Sequence, residues 1–309
     1  DVYKRQLRNR LRTGATPGIV LRPTMIKPTP APVEPHPILE KYYGDRAEKR
    51  EWLQTIFDDT APDYDRIESW LALGSGRWYR RRALHRAGLT SGMAAADVAC
   101  GTGLVTREAA RIVGPTGRIV GIDPSVGMMN HAGTDIVFER RHGRAEAIPE
   151  NDAAFDFLSM GYALRHVDDF GSAFREFRRV LRPGGRVCIL EITAPASGLG
   201  RALLRLYMRV VVGVCRGVAG GSARSGELWT YYWETIDRCA RPETVMQALR
   251  SAGFDNVRHT RPLGIFSEYT GVNPPAGNPC RTPDRGSDET ASTVVPGAID
   301  SSTRGREVH

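Results

Sequence analysis

Two glycines and an acid carry the first chemical signal in the chain. Gly101, Thr102 and Gly103 close a short apolar run, and Asp123 ends a second one twenty residues after Gly103. Glycine lets a backbone turn sharply and approach a ligand without interference from a Cβ atom. A helix starting at Leu104 points its first amides at whatever sits on the turn, and an acid in the place of Asp123 can accept both hydroxyls of a ribose. The pattern describes a nucleoside pocket with Gly101, Thr102, Gly103 and Asp123 as cofactor contacts.

The spacing also selects among nucleosides. A dinucleotide fingerprint has a third Gly or Ala three residues after Gly103, where this chain has Thr106, and there is no P-loop Gly-Lys-Ser/Thr. A nucleoside with an amino-acid tail fits better than a pyrophosphate, so the expected cofactor is S-adenosylmethionine. A glycine turn with no ligand is the competing reading of the motif taken alone.

The surrounding elements alternate. The segments 94–99, 118–122, 136–141, 155–160 and 186–192 read as strands, separated by helices beginning at Leu104, Ser125 and about Phe170. Phe170, Phe174, Phe177 and Leu181 fall on one helical stripe, and Pro183-Gly184-Gly185 is read as the stop. A helix over 243–251 and strands over 257–261 and 264–269 complete the set. The expectation is a Rossmann-like α/β fold: a seven-stranded, mostly parallel sheet with helices on both faces and N-terminal cap helices over 39–90. In such a sheet the loop carrying Arg144 and Ala145 lies beside Asp123, where an adenine attached to the ribose would go. Within the cap helices the stretch 57–65 is both aromatic and acidic. A helix N-cap beside core aromatics is preferred there over a site.

DVACGTG, GID, GRAEAIP, FDFLSMGYALRHV and LRPGGRV, in this order and spacing, resemble class I S-adenosylmethionine-dependent methyltransferases, and within them the ubiquinone/menaquinone biosynthesis C-methyltransferase family. The resemblance runs over roughly 50–271 and takes in Phe57, Ala61, Tyr64-Asp65, 232–236 and 252–254. It implies methylation of a small, lipophilic or quinol-like acceptor, with C-methylation favoured, in quinone biosynthesis. Arg165 stands where the family carries its Arg, and Gly161 is implied at the cofactor. The chain departs from the family at Arg144 and His166, where Asn is usual, and at Gly161, where Ser is usual.

A phenolic ring carbon attacks well only when its hydroxyl is at least partly ionised. Arg165, protonated at any ordinary pH, is therefore assigned to oxyanion stabilisation or the ordering of a water, and His166, titrating near neutrality, to the base. Tyr64, Tyr162 and Trp233 are the expected acceptor contacts. No metal is expected. The rival function is a nucleoside-binding, catalytically weak partner in a biosynthetic assembly.

Composition bounds the rest. The 309 residues hold 43 Lys and Arg against 35 Asp and Glu, a net charge of +8 without one dense patch, so no nucleic-acid partner is expected. Five scattered cysteines without a C-x-x-C pair suit a reducing, cytoplasmic setting. No secretory signal or uninterrupted eighteen-residue apolar run is present. Residues 1–38, basic and Pro-rich, and 273–309, rich in Pro, Gly, Ser and Thr, are expected to be disordered tails around a domain of 39–272. An insertion over 199–230 contains a basic, apolar helix within 199–220, read as a core-covering helix or as a lid touching an anionic membrane surface. A homodimer is the other partner expectation.

Overall fold

A computed structural model describes residues 32–71, 75–133, 137–217 and 223–275. Strands β1 (Ala94–Val98) and β4 (Phe155–Gly161) are almost wholly apolar, the signature of parallel strands covered on both faces, and they pair at the centre of the sheet. Beyond β1 lie β2 (Arg118–Asp123) and β3 (Glu139–His142). Beyond β4 come β5 (Leu181–Ile192), β7 (Phe266–Val272) and β6 (Asp255–Thr260), giving the order β3-β2-β1-β4-β5-β7-β6. Among the strands of the described residues, only the β5–β7 and β6–β7 pairs are antiparallel. The strand order reverses between β1 and β4, which is where an open α/β sheet forms its ligand crevice.

One apolar layer joins the sheet to α5 (Phe170–Val180) and α8 (Pro242–Ser251) through Phe170, Phe174, Phe177 and Leu249, all fully buried. The opposite layer packs α2 (Gly76–Ala87) and α3 (Leu104–Val113) through Leu84, Ala109 and Val113. A third cluster unites α1 (Arg46–Leu71), α6 (Gly198–Gly217) and α7 (Ala223–Arg238) above the carboxyl ends of the strands. A short α4 (Val126–Asn130) follows β2.

Several expectations shift. The helix after Phe170 ends at Val180, because Leu181 is extended and pairs with Phe155 as the first residue of β5. The stretch 57–65 is no helix start: α1 runs through it, with Pro62 inside. The ordered domain begins before residue 39. Val33 donates its amide to Asp169 (2.7 Å) and accepts from Phe170 (3.0 Å), Pro35 accepts from Ala240 (2.7 Å), and His36 is buried. Prolines hold this strap extended while its backbone groups bond the loops before α5 and α8. At the other end Asn273 is buried, and its amide side chain donates to the carbonyls of Leu181 (2.8 Å) and Arg182 (3.1 Å). The remainder of both expected tails, 1–31 and 276–309, lies outside the described residues.

Candidate active site

The turn between β1 and α3 is built from left-handed backbone. Ala99, Gly101 and Gly103 have φ of 56°, 54° and 84°. Such values cost a non-glycine residue energy, and Ala99 shares the condition with Tyr162 (φ 61°) at the end of β4. Both strained residues line the same cavity. Thr106, in place of the third glycine, donates its hydroxyl to Asp97 (2.6 Å), which also accepts from Ser159 (2.7 Å). That buried carboxylate ties β1, α3 and β4 together beneath the turn.

Asp123 closes the turn from the side. Its two oxygens accept from the amides of Gly101 (2.7 Å) and Ser125 (2.8 Å), and burial pushes its carboxyl up to about 6 against those two bonds. A carboxylate has about four acceptor positions. Two remain for a ligand in the cavity that Asp123 lines together with Gly101, Thr102, Arg144, Ala145 and Gly161. A Cβ on Gly161 would come within 2.5 Å of a Val105 methyl, so the usual Ser of the family requires the Val105 side chain to shift. Arg144 is paired with Asp168 (2.5 Å), which fixes the loop after β3 beside the cavity. Gly103 does not line it. An added Cβ there would face Phe138 (3.4 Å), and the residue serves the turn and the start of α3.

The roof comes from the cap helix. Asp58 accepts from Ser125 Oγ (2.5 Å) and from the Gly127 amide (2.9 Å), while Asp65 accepts from Arg107 (2.7 Å) and from the Thr102 hydroxyl. The acids that read as a local cap thus latch α1 to both loops that hold the cofactor contacts. Their i, i+7 spacing, which puts both acids on one helical face, was the available signal.

Phe57, Tyr64, His166 and Tyr232 form an aromatic wall of the same cavity. His166 stacks on Tyr232 (5.6 Å between centroids, 29°) and meets Phe57 edge-on (5.4 Å, 78°), and the Tyr64 and Tyr232 hydroxyls are 3.0 Å apart. Both ring nitrogens of His166 are buried and neither has a hydrogen-bond partner among the described residues. Burial, assisted by the positive charges of Arg165 and Lys49, holds its imidazolium well below the usual range. His166 is therefore a neutral hydrogen-bonding group at physiological pH, and the expectation that it titrates near neutrality is corrected.

Two other candidates stand elsewhere. Arg165 does not line the cavity. Its guanidinium is buried behind the wall, paired with Glu191 and centred 4.5 Å from the Tyr232 ring. Trp233 points away into an outer groove with Ile38 and Arg205, one helical step from Tyr232, the residue sequence reasoning passed over. Tyr64 and Tyr162, the other two expected acceptor contacts, line the cavity.

A glycine turn, a partly unsatisfied buried acid and a fixed loop beside it suit a nucleoside, and the aromatic wall opposite suits a planar acceptor. A model of the ubiE/COQ5 methyltransferase family matches residues 45–273. The chain belongs to that family. Demethylmenaquinone methyltransferase of Staphylococcus aureus is 31% identical over 220 residues, spanning 70% of this chain and 90% of that protein. Ubiquinone/menaquinone biosynthesis C-methyltransferase UbiE of Hahella chejuensis is 29% identical over 234 residues, 73% of this chain and 92% of that protein. Among solved structures, a SAM-dependent methyltransferase of Thermotoga maritima overlays with a TM-score of 0.51 at 21% identity, covering 72% of this chain and 99% of that one, a likeness that bears on the fold. The chain is thus a methyltransferase whose cofactor is S-adenosylmethionine. Gly101, Thr102, Asp123, Arg144 and Ala145, expected as cofactor contacts, line one cavity, and Gly103 does not.

Proposed function

We propose that this methyltransferase C-methylates a lipophilic, quinol-like acceptor bound between Phe57, Tyr64, His166 and Tyr232. The observation that carries the reading is His166: a neutral imidazole with two buried nitrogens that have no partner among the described residues, in the aromatic wall of a cavity that Asp123 also lines. An unpaired buried polar group is costly, and a planar acceptor bearing a hydroxyl would satisfy it. The names borne by the Staphylococcus aureus and Hahella chejuensis relatives agree with that acceptor class.

When bound, S-adenosylmethionine supplies a methyl group on a positively charged sulfur. The acceptor hydroxyl donates to His166, which raises electron density at the neighbouring ring carbon and turns that carbon towards the cofactor wall. The carbon takes the methyl as the carbon–sulfur bond breaks and leaves its electron pair on sulfur, and the hydroxyl proton passes to His166. The ring carbon then loses its own proton to water as the product leaves, and the oxygen recovers a proton from His166, so one proton is released for each methyl transferred. Arg165 acts at one remove: paired with Glu191 beneath Tyr232, it fixes the wall against which the acceptor lies. Positioning and exclusion of water supply most of the rate.

The test compares reduced and oxidised forms of one short-chain demethylated naphthoquinone, incubated with enzyme and donor and followed by mass spectrometry. The reduced form, which alone carries the hydroxyl, should gain one methyl. Equal turnover of the two forms would remove the His166 hydrogen bond from the mechanism.

A further inference from the structure

Helix α6 carries an apolar face with nothing over it among the described residues. Leu199, Leu203, Leu206 and Val210 are 73%, 58%, 58% and 55% exposed, and they fall at i, i+4, i+7 and i+11, on one line along the helix. The inward face is a different set: Met208 is buried and Leu204 partly so, both against the cluster formed with α1 and α7. An isolated surface leucine needs no explanation, but four on one stripe do. Arg205 and Arg209 border the stripe on one side, both exposed. The whole helix contains four arginines and no Asp or Glu.

We infer that this face docks on an anionic lipid bilayer. An apolar stripe bordered by arginines matches the two layers of such a surface, acyl chains below and phosphates above. The charge pattern disfavours a second copy as occupant, since pairing α6 with itself would bring two arginine rows together with no acid on the helix to offset them. No helix among the described residues is long and apolar enough to cross a membrane, so the contact is in the plane of the surface.

The position has a consequence for access. A groove of about 720 Å³ between α6, α7 and the strap is lined by Arg205, Met208, Arg209, Trp229 and Trp233, with the carboxylates Glu40, Glu234 and Asp237 also in its lining. Trp229 meets Tyr232 edge-on (4.9 Å), so one aromatic layer separates the groove from the wall of the cavity. Docking through α6 sets that groove at the level of the lipid. It needs no assumption about the acceptor, and vesicle binding reads it separately from turnover.

The experiment floats the full chain with vesicles of phosphatidylcholine alone and of phosphatidylcholine with phosphatidylglycerol, at low and high salt. The wild type should bind the anionic vesicles and weaken with salt. Leu203→Asp with Leu206→Asp should weaken binding at least ~tenfold, and Arg205→Glu with Arg209→Glu about 25-fold, from a factor of about five for each basic residue at the surface. Both variants replace exposed side chains and should keep the wild-type melting temperature and S-adenosylhomocysteine affinity. Failure of the wild type to float, or flotation of the leucine variant equal to wild type, would overturn the assignment. So would a dimer in solution that both variants dissolve.

Discussion

Arg165 and Glu191 form an ion pair in which each side chain is only 1% exposed, and the guanidinium lies over the Tyr232 ring. Removing one member of a buried pair strands the other, at a cost of about 3–5 kcal/mol. Arg165→Ala should lower the unfolding free energy by that amount, and Glu191→Gln should destabilise in the same sense. Chemical denaturation reads both. Affinity for S-adenosylhomocysteine should survive in the folded fraction, because the pair stands behind the acceptor wall. Wild-type stability in both variants would deny the pair its structural role.

Asp123 makes donor affinity depend on pH. Its folded pKa is raised to about 6, and only the ionised form accepts from two amides and two hydroxyls at once. Affinity for S-adenosylhomocysteine should be constant above that value and fall as pH drops below about 6. Asp97 is pushed by burial into the same range but makes its bonds to Thr106 and Ser159. Asp123→Asn should therefore flatten the profile, and Asp123→Ala should cost ~1.5–3 kcal/mol at neutral pH. Calorimetry across the pH range decides; an unaltered slope in Asp123→Asn would shift the effect to Asp97.

The latch from the cap helix should matter for binding as well as stability. Asp58→Ala removes an acceptor for the Gly127 amide and Ser125 hydroxyl, which should cost about 0.5–2 kcal/mol in unfolding, as for a lost helix cap. Because Ser125 also bonds Asp123, donor affinity should fall with it. Thermal unfolding with and without S-adenosylhomocysteine separates the two effects: equal losses of melting temperature in both states would confine Asp58 to stability.

A chain trimmed to residues 32–275 should keep the melting temperature of the full chain. One trimmed to 39–275 should melt lower, since it loses the Val33 and Pro35 backbone bonds and buried His36. Identical melting of the two would show that the strap adds nothing.

Strand order, the glycine turn and Asp123 were legible because their signals are local: apolar runs, glycines at fixed spacing, an acid closing a strand. What misled was side-chain direction. Arg165 follows β4 at the position expected of a cleft residue, yet Glu191, distant in sequence, turns it into the core. Trp233 and Tyr232 are neighbours on a helix whose inward face only packing against α1 decides, and of the two it is Tyr232 that lines the cavity of Asp123. The lowered basicity of His166 arises from burial and from Lys49 and Arg165, which no spacing records. Prolines at the N-terminal boundary suggested a tail, although extended backbone with its carbonyls bonded is equally available to them.

Transfer of a ¹³C-labelled methyl group from S-adenosylmethionine to a reduced, demethylated naphthoquinone tests the proposed reaction most directly. Carbon NMR of the product should show the label bonded to a ring carbon, and His166→Ala should cut turnover by ~10²-fold or more while leaving S-adenosylhomocysteine affinity unchanged. Label on oxygen, or full turnover in the His166→Ala enzyme, would contradict the account.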